Sequence, residues 1–600
     1  MRSNRSLWTA SLACLLWAAP SLAQEGPPPG RDLAPPPGYE EPTQEQLSAL
    51  IAPSEETVWF RNAKLGIMIH WGPVTLTGVP MSWGRDGPRP GAGRRARDGV
   101  PQETYDNLYR SFNPLKFDAE EWLEAIEGSG AGYFVFTTKH HDGFAMWDSD
   151  TTEYDIMSSP FRRDIVGELA HAASETPVRT FWYYSQPDWH HPAALQEGHY
   201  GEYLPYMRKQ LRELLTNYGE VDGIFFDHLA SKHYHWDTIN LIPELREMQP
   251  GLLVNQRIGN RLPEDYQGDY GVYELGIGPR DEERPWESAI TLSKAWAWHG
   301  GDLTKSPDAT LRMFLSVIGN GGNLALNIAP QPDGQIFAGD LEVLAHLGRF
   351  NELYGEAVFG TRQGLYEPGP WGTSTMRGDG LYLFVTQQTD NDTISVQLPE
   401  LPFAPRSIEL LTPGQVESRV NDGLELVITP GEHDFPQVVR LLYDQTLENL
   451  TPVPTFDPAN LVEPVAITAS SERSERFSTS VLTAPDDRGV FGEGVHIKSW
   501  WEPGANDTAP TITVELENAI PVSSIVLSES VRSFGVDRFR VFYRDDNHYW
   551  VPAFHGTTIG MNLGIELDSP PTDAIRVVFD EFEAGSPNIT AIDIFATAQR

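Results

Sequence analysis

Polar and titratable side chains recur at the ends of short apolar runs in the first half of this sequence: His70, then His140 and His141, Tyr184, Asp227, Arg257 and Glu274, with Asn327 after the last. When parallel strands close into a barrel their C-terminal ends meet at one mouth, so residues placed this way form one polar pocket. The pivot is the stretch from Val221 to His228, Val-Asp-Gly-Ile-Phe-Phe-Asp-His, which reads as a buried strand delivering Asp227 to the rim of a sheet. An aspartate there can simply cap the next helix. Recurrence at successive strand ends argues instead for a site. The chemistry open to it is that of two unlike carboxyls. Asp227 stays ionised if donors such as His141 or Arg257 stand beside it, and Glu274 holds a proton if burial or a negative neighbour favours the neutral form.

The elements that must position these groups run from about residue 45 to 350. Strand-like runs at Leu65 to Trp71, Tyr133 to His140, Arg179 to Ser185, Gly223 to Asp227, Leu252 to Arg257, Tyr270 to Glu274, Ala295 to Trp298 and Leu324 to Ile328 alternate with helix-like stretches. Among the latter are Ala119 to Glu127, Ile165 to Ser174 and Tyr203 to Tyr218. Eight such repeats predict a (β/α)8 barrel over residues 45 to 350. The chain of 600 residues is too long for one core, so further units are expected behind the barrel.

Composition narrows the partners. Asp plus Glu number 84 against 44 Lys plus Arg, a formal charge of -40 that opposes nucleic acid and anionic membranes. Residues 1 to 23 carry Arg2 and Arg5, an apolar run from Leu7 to Ala19, and Ser21-Leu22-Ala23, the pattern of a secretory signal peptide, so a secreted or periplasmic protein is expected. Residues 24 to 44, rich in Pro, Gly and Glu, read as a disordered lead-in. No later segment is long and apolar enough to span a bilayer. The one cysteine, Cys14, lies inside the signal peptide, which leaves no thiol, disulfide or cysteine metal site in the mature chain.

Long collinear motifs carry a family resemblance. Trp59-Phe60-Arg61-Asn62-Ala63-Lys64-Leu65-Gly66-Ile67-Met68-Ile69-His70-Trp71-Gly72 and Thr137-Thr138-Lys139-His140-His141-Asp142-Gly143-Phe144-Ala145-Met146-Trp147-Asp148-Ser149 resemble the signatures of glycoside hydrolase family 29, the α-L-fucosidases. Phe161 to Val166, Tyr183-Tyr184-Ser185, Pro187-Asp188-Trp189, Gly321 to Asn327 and Gly355 to Arg362 continue the match over roughly residues 55 to 362. The resemblance implies a retaining hydrolase without a catalytic cofactor, acting on terminal α-L-fucosyl residues of oligo- or polysaccharides. It makes Asp227 the nucleophile, since the family's Trp-Phe-Asp falls on Phe225-Phe226-Asp227. It makes Glu274 the acid/base, since Gly268-Asp269-Tyr270-Gly271-Val272-Tyr273-Glu274 matches the ends of Gly-Asp-Tyr-x-Thr-Pro-Glu, with Glu287 and Asp269 in reserve. His70, His140, His141 and Arg257 match sugar-binding positions. Trp71, Trp83, Tyr184, Phe225 and Trp286 join them as candidate pocket walls, with Trp147 a further candidate.

Two departures bear on the substrate. Met81-Ser82-Trp83-Gly84-Arg85 stands where the family has Ser-Glu-Trp-Tyr, and Phe225 stands where it has Trp. A related L-sugar such as an α-L-galactoside, or a barrel that binds glycans with little turnover, is the alternative. The following loop holds Arg85, Arg89, Arg94, Arg95 and Arg97, and guanidinium forks pair with sulfate or carboxylate. Arg85, Arg94, Arg95 and Arg97 are therefore candidate anion ligands, which points to sulfated fucans (fucoidan) as substrates. His140-His141-Asp142 raises a metal reading, but adjacent histidines on a strand face opposite ways, so no metal site is expected.

Behind the barrel, short alternating strands predict a β-sandwich over residues 351 to 448, and a proline-bearing linker spans 449 to 462. Residues 463 to 600 resemble a discoidin-like (coagulation factor 5/8 type C) carbohydrate-binding module, a β jelly roll, through Ala466 to Ser471, Trp500-Trp501, Thr511 to Leu516, Phe539 to Arg544 and Ile575 to Phe579. That resemblance leaves room for a structural calcium ion and nominates Trp500 and Trp501 for glycan contact. The fold class expected is thus α/β plus all-β: a (β/α)8 barrel, a β-sandwich and a discoidin-like jelly roll. Nothing in the sequence sets the oligomeric state.

Overall fold

The computed structural model describes residues 33 to 597 except 93–98, 228–231, 260–267, 281–282, 302–303, 421–422, 449, 457, 483–499, 533, 568 and 584–586. The signal-peptide segment and Arg94, Arg95 and Arg97 lie outside the described residues.

Eight parallel strands form the first unit: β1 Leu65–Ile69, β2 Tyr133–Lys139, β3 Arg179–Tyr184, β4 Gly223–Phe226, β5 Leu253–Val254, β6 Gly271–Glu274, β7 Trp286–Thr291 and β8 Asn323–Ile328. They pair in the order β5-β4-β3-β2-β1-β8-β7-β6, and a parallel bridge between Asn255 and Tyr270 closes the ring. Helix α1 Ser54–Ala63 precedes β1; α2 Ala119–Gly128, α3 Ile165–Ser174, α4 Leu204–Thr216, α5 Thr238–Met248, α6 Pro307–Gly319 and α7 Ala338–Tyr354 follow strands. The caps are local sequence: Asp118 and Asp164 accept amide hydrogens at the starts of α2 and α3, and Ser306 does so before Pro307 opens α6. Among the described residues no α-helix follows β5 or β6.

Strand alternation sorts side chains into two layers. Trp182, Tyr184, Ile224 and Phe226 face the helices, whereas Met68, Phe181, Tyr183, Phe225, Val272, Ala289 and Ala325 fill the barrel. The barrel floor is aromatic. Phe60, projecting from α1, meets Tyr270 at 4.6 Å and Tyr133 at 5.2 Å between ring centres. Gly66 and Gly223 make room for it, because a Cβ at either would lie within 2.3 Å of the Tyr133 ring or 2.1 Å of the Phe181 ring.

The seventh strand is Trp286–Thr291, not Ala295 to Trp298, whose residues bend over the mouth instead. Glu287 and Ser288 are buried in that strand, and such polar residues in an interior strand disguise it, while Ala-Trp-Ala-Trp imitates one. The second half of the expected disordered lead-in, from residue 33, rests on the barrel. There Tyr39 Oη hydrogen-bonds His233 Nε2 at 2.6 Å, Tyr200 donates to the Ala34 carbonyl at 2.8 Å, and His235 meets the Leu33 carbonyl at 3.1 Å.

Behind the barrel, a five-stranded and a three-stranded antiparallel sheet enclose a core that includes Leu383, Val396, Leu426 and Val439. The linker does not run free: the Glu367 and Val453 amides exchange hydrogen bonds with the Val453 and Leu365 carbonyls, adding it to the sandwich. The third unit again has five- and three-stranded antiparallel sheets around a core of Trp501, Ile525, Val541, Val577 and Ile594. It is docked on the barrel. Val531, Phe534 and Met561 belong to the barrel's own apolar cluster, and Arg312 of α6 donates to the Thr558 and Ile559 carbonyls at 2.7 and 3.0 Å.

Candidate active site

A cavity of about 420 Å³, large enough for a sugar ring, opens at the C-terminal ends of the barrel strands. On its wall Arg257 binds two carboxyls at once: Nη1 donates to Asp227 Oδ1 at 2.6 Å and Nη2 to Glu274 Oε2 at 3.0 Å. Asp227 follows β4 and Glu274 ends β6, so the two elements between them bring Arg257 into the gap. The other oxygen of Asp227 accepts from Tyr183 Oη and lies 3.7 Å from His141 Nε2. Burial alone would push the Asp227 carboxyl up. Arg257, His141 and His140, with the Tyr183 hydroxyl, outweigh it and hold the carboxyl well below the usual range. Asp227 is therefore ionised at any working pH, and its 17% exposure lies on the cavity side.

The backbone beneath is fixed by Gln186, fully buried, whose Oε1 accepts the Asp227 amide at 2.9 Å while Nε2 donates to the Arg257 carbonyl at 2.7 Å. One side chain thereby sets Asp227 and Arg257 together.

Three histidines share one orientation. Asn327 Nδ2 donates to the Trp296 carbonyl, so its Oδ1 must accept from His70 Nδ1, at 2.7 Å. The Ser82 hydroxyl donates to Asp142 Oδ2, so it accepts from His140 Nδ1 at 2.6 Å. Ser185 donates to the Pro187 carbonyl, so it accepts from His141 Nδ1 at 2.6 Å. In His70 and His140 Nε2 is left as the lone-pair nitrogen, able to accept from a sugar hydroxyl, whereas His141 Nε2 faces the Asp227 carboxylate. Burial pushes His70 down to about 3 and His140 to about 4, so both are neutral.

The structure brings together at the cavity Asp227, Glu274, His70, His140, His141, Phe225, Arg257 and Trp83. It places others elsewhere. Trp71 is fully buried behind β1, stacked on Phe117, and Trp147 is buried with its indole donating to Glu213. Tyr184 points outward to Gln210 at 2.7 Å, because Tyr183 takes the inward phase of β3. Trp286 covers Gly278 and Gly322 in the apolar layer. Arg85 is no anion ligand: it is buried and grips Asp106 at 2.6 and 2.8 Å. Arg89 lies 5.9 and 5.5 Å from the Trp83 and Trp189 rings and donates to the Trp83 carbonyl, which makes it a prop for the cavity's aromatic wall. Asp269 serves the barrel floor through Arg246, at 2.7 Å. Glu287 sits deep in the barrel, accepts from Tyr133 at 2.6 Å, is pushed up to about 7 by burial, and does not line the cavity.

His140 and His141 do not face opposite ways. A register shift between Thr137 and Lys139 breaks the alternation, and the rings lie 4.2 Å apart. With Asp227 they form a cluster whose ligand atoms lie within 4.8 Å of one another. Arg257 and Tyr183 already occupy the carboxylate, and the guanidinium charge opposes a cation beside it. Among the described residues no comparable cluster of acidic or histidine ligands lies in the third unit.

The motifs did not single out Tyr183, Trp189, Trp296, Lys294 or Arg532 for the cavity, yet all five line it. The inward phase of β3 was the available signal for Tyr183. Replacing it with Phe removes one donor from a buried carboxylate, a bond worth roughly 1.5 to 3 kcal/mol, so kcat should fall about tenfold to a hundredfold with little change in KM. A Tyr183→Phe variant within twofold of the parent would show that the bond has no part in turnover.

Two carboxyls under one arginine, at the mouth of a barrel and beside hydroxyl acceptors, are the equipment of a glycoside hydrolase. Comparison with known proteins agrees. Residues 38–356 match the family model described as Alpha-L-fucosidase. The human tissue alpha-L-fucosidase is 27% identical over 363 residues, 57% of this chain and 78% of that protein. Alpha-L-fucosidase isoenzyme 1 from Paenibacillus thiaminolyticus superposes with a TM-score of 0.58 at 29% identity, over 65% of this chain and 99% of that one. The alpha-L-fucosidase of Vibrio sp. strain EJY3, at 20% identity and a TM-score of 0.60, shares the fold over 92% of this chain and 99% of its own. The chain belongs to the alpha-L-fucosidase family of glycoside hydrolases.

Proposed function

We propose that this protein is a secreted, retaining exo-α-L-fucosidase that removes terminal α-L-fucosyl residues from glycans, sulfated fucan oligosaccharides among them. The observation that carries the mechanism is the sharing of Arg257 by Asp227 and Glu274. Two carboxyls held on one guanidinium stand on the same side of one cavity, as the two carboxyls of a retaining enzyme must. Asp227 attacks the anomeric carbon as the glycosidic bond breaks, and Glu274 gives its proton to the departing oxygen. Glu274 then takes a proton from water, whose oxygen displaces Asp227 and returns the anomeric configuration to its starting hand. A related enzyme from Bacteroides thetaiotaomicron, 25% identical over 65% of this chain with a TM-score of 0.57, is described as a trapped covalent intermediate with 2-fluoro-fucosyl fluoride, which supports this course.

Neutral His70 and His140 accept from the sugar hydroxyls, and the Trp83, Trp189 and Trp296 rings give the sugar an apolar face to lie against. The paired antiparallel sheets of the third unit support the discoidin-like reading. Within it Trp501 is core, while half-buried Trp500 lies tilted against Phe477, 5.1 Å between ring centres, and is the better candidate for glycan contact.

Incubation with 4-nitrophenyl α-L-fucoside and the matching α-L-galactoside tests the reading. Turnover of the fucoside, with the α-anomer of free fucose appearing first by NMR, is expected. First release of the β-anomer would overturn retention, and preference for the galactoside would overturn the sugar.

A further inference from the structure

The catalytic cavity is not built by the barrel alone. Arg532, from the third unit, and Lys294, from the loop after β7, line the same cavity as Asp227 and Glu274. We propose that these two cations form a subsite at its rim that binds an anionic substituent, a sulfate ester or a carboxylate, on the sugar adjoining the scissile bond. The proposal rests on the fucosidase reading above and names the substrate class of that site.

The loop that carries Arg532 is held on both sides. Val531, with no exposure, and Phe534, at 8%, are buried in the barrel's apolar cluster, so Arg532, next to the first of them, is held at the mouth. Lys305 Nζ lies 5.3 Å from the Phe534 ring. The fully buried Glu529 clips the base of the loop, accepting the Gly535, Val536 and Gly560 amides at 2.9, 3.1 and 2.9 Å. A surface arginine needs no such scaffold. A ligand-binding one does, because positioning it beforehand removes the ordering cost from binding.

Charge points the same way. Both Lys294 and Arg532 are exposed at their positions. Lys305, buried behind the rim, is pushed down to about 7, first by burial, against the pull of Asp340 and Glu529, and it feels the positive charges of both Lys294 and Arg532, which sets these two cations on the same side of the mouth. The carboxylates lining the cavity are Asp227 and Glu274, which share Arg257. Glu583 faces Lys294 from the third unit, and Asp340 and Glu529 face Lys305. In a protein of charge -40, a polyanion is repelled at long range and needs a local positive patch within a Debye length of about 10 Å. With Arg85 committed to Asp106, this rim supplies one beside the reacting carboxyls.

The test compares kcat/KM on three matched fuco-oligosaccharides, neutral, sulfated and uronate-bearing, for the parent protein and for Arg532→Ala, Arg532→Lys and Lys294→Ala. The parent should favour an anionic substrate by roughly tenfold, and that preference should shrink as salt rises from ~0.05 to ~0.5 M. Arg532→Ala should bring the ratio near one, with Arg532→Lys restoring part of it. The higher of the sulfated and uronate rates identifies the anion. Turnover of 4-nitrophenyl α-L-fucoside with equal rates on neutral and anionic oligosaccharides overturns the subsite and leaves the fucosidase reading standing. No turnover of any fucoside overturns that reading instead. Calorimetric binding of the sulfated oligosaccharide, with and without Arg532→Ala, then decides the subsite: equal binding overturns it, and weakened binding upholds it.

Discussion

Asp227→Ala and Asp227→Asn should lower kcat on 4-nitrophenyl α-L-fucoside by roughly 10³- to 10⁵-fold, because no other group can form the covalent intermediate. The Asn variant is the cleaner of the two. Its amide oxygen still accepts from Arg257 or Tyr183, so the buried guanidinium is not stripped of both partners, and Glu274 remains on its second nitrogen. Its thermal midpoint should stay close to the parent's. The pH profile follows from the same contacts. Since Arg257 and the neighbouring donors hold Asp227 well below the usual carboxylate range, the acid limb of kcat/KM does not report Asp227. Acidification toward pH 4 protonates His140, whose value lies near 4, and turns a hydroxyl acceptor into a donor. A profile of kcat/KM against pH should therefore show activity lost as the pH falls through about 4. Near-parent turnover by Asp227→Asn would remove Asp227 from the mechanism.

Glu274→Ala should also lose turnover, most severely on substrates with poor leaving groups, and azide should restore it, since azide attacks the glycosyl-enzyme without a general base. Glu287 is the control. Its carboxyl lies inside the barrel on Tyr133, is raised by burial to about 7, and does not line the cavity. A carboxyl whose folded value lies above its unfolded one costs stability as pH rises through the interval between them, here from about 4.5 to about 7. Glu287→Gln should thus keep activity and gain stability at and above neutral pH relative to the parent. Azide rescue of Glu287→Ala but not of Glu274→Ala would reverse the assignment of acid and base.

The barrel was legible because its strands are apolar runs punctuated by glycine, and Asp227, Glu274, His70 and Arg257 because each lies within a few residues of the run that carries it. That relation is local, so it survives in one dimension. The seventh strand was not legible. Burying Glu287 and Ser288 is tolerable only because Tyr133, some 150 positions away, supplies a partner for the glutamate. Nor was the phase of the tyrosine pair readable: Tyr183 and Tyr184 are the same residue type on opposite faces, and only the ring's closure says which face is the inside.

By itself, then, the chain's order of residues determined all the barrel strands but the seventh, the helix caps and the places of the two carboxyls at strand ends. Tertiary structure decided what surrounds them. A register shift after Thr137 turned both His140 and His141 into the cavity, against the alternation of a regular strand. Docking of the third unit through Val531 and Phe534 brought Arg532 to a pocket lined by Asp227, 305 positions earlier. Contacts between units depend on shapes and faces that exist only after each unit has folded, so no local pattern records them.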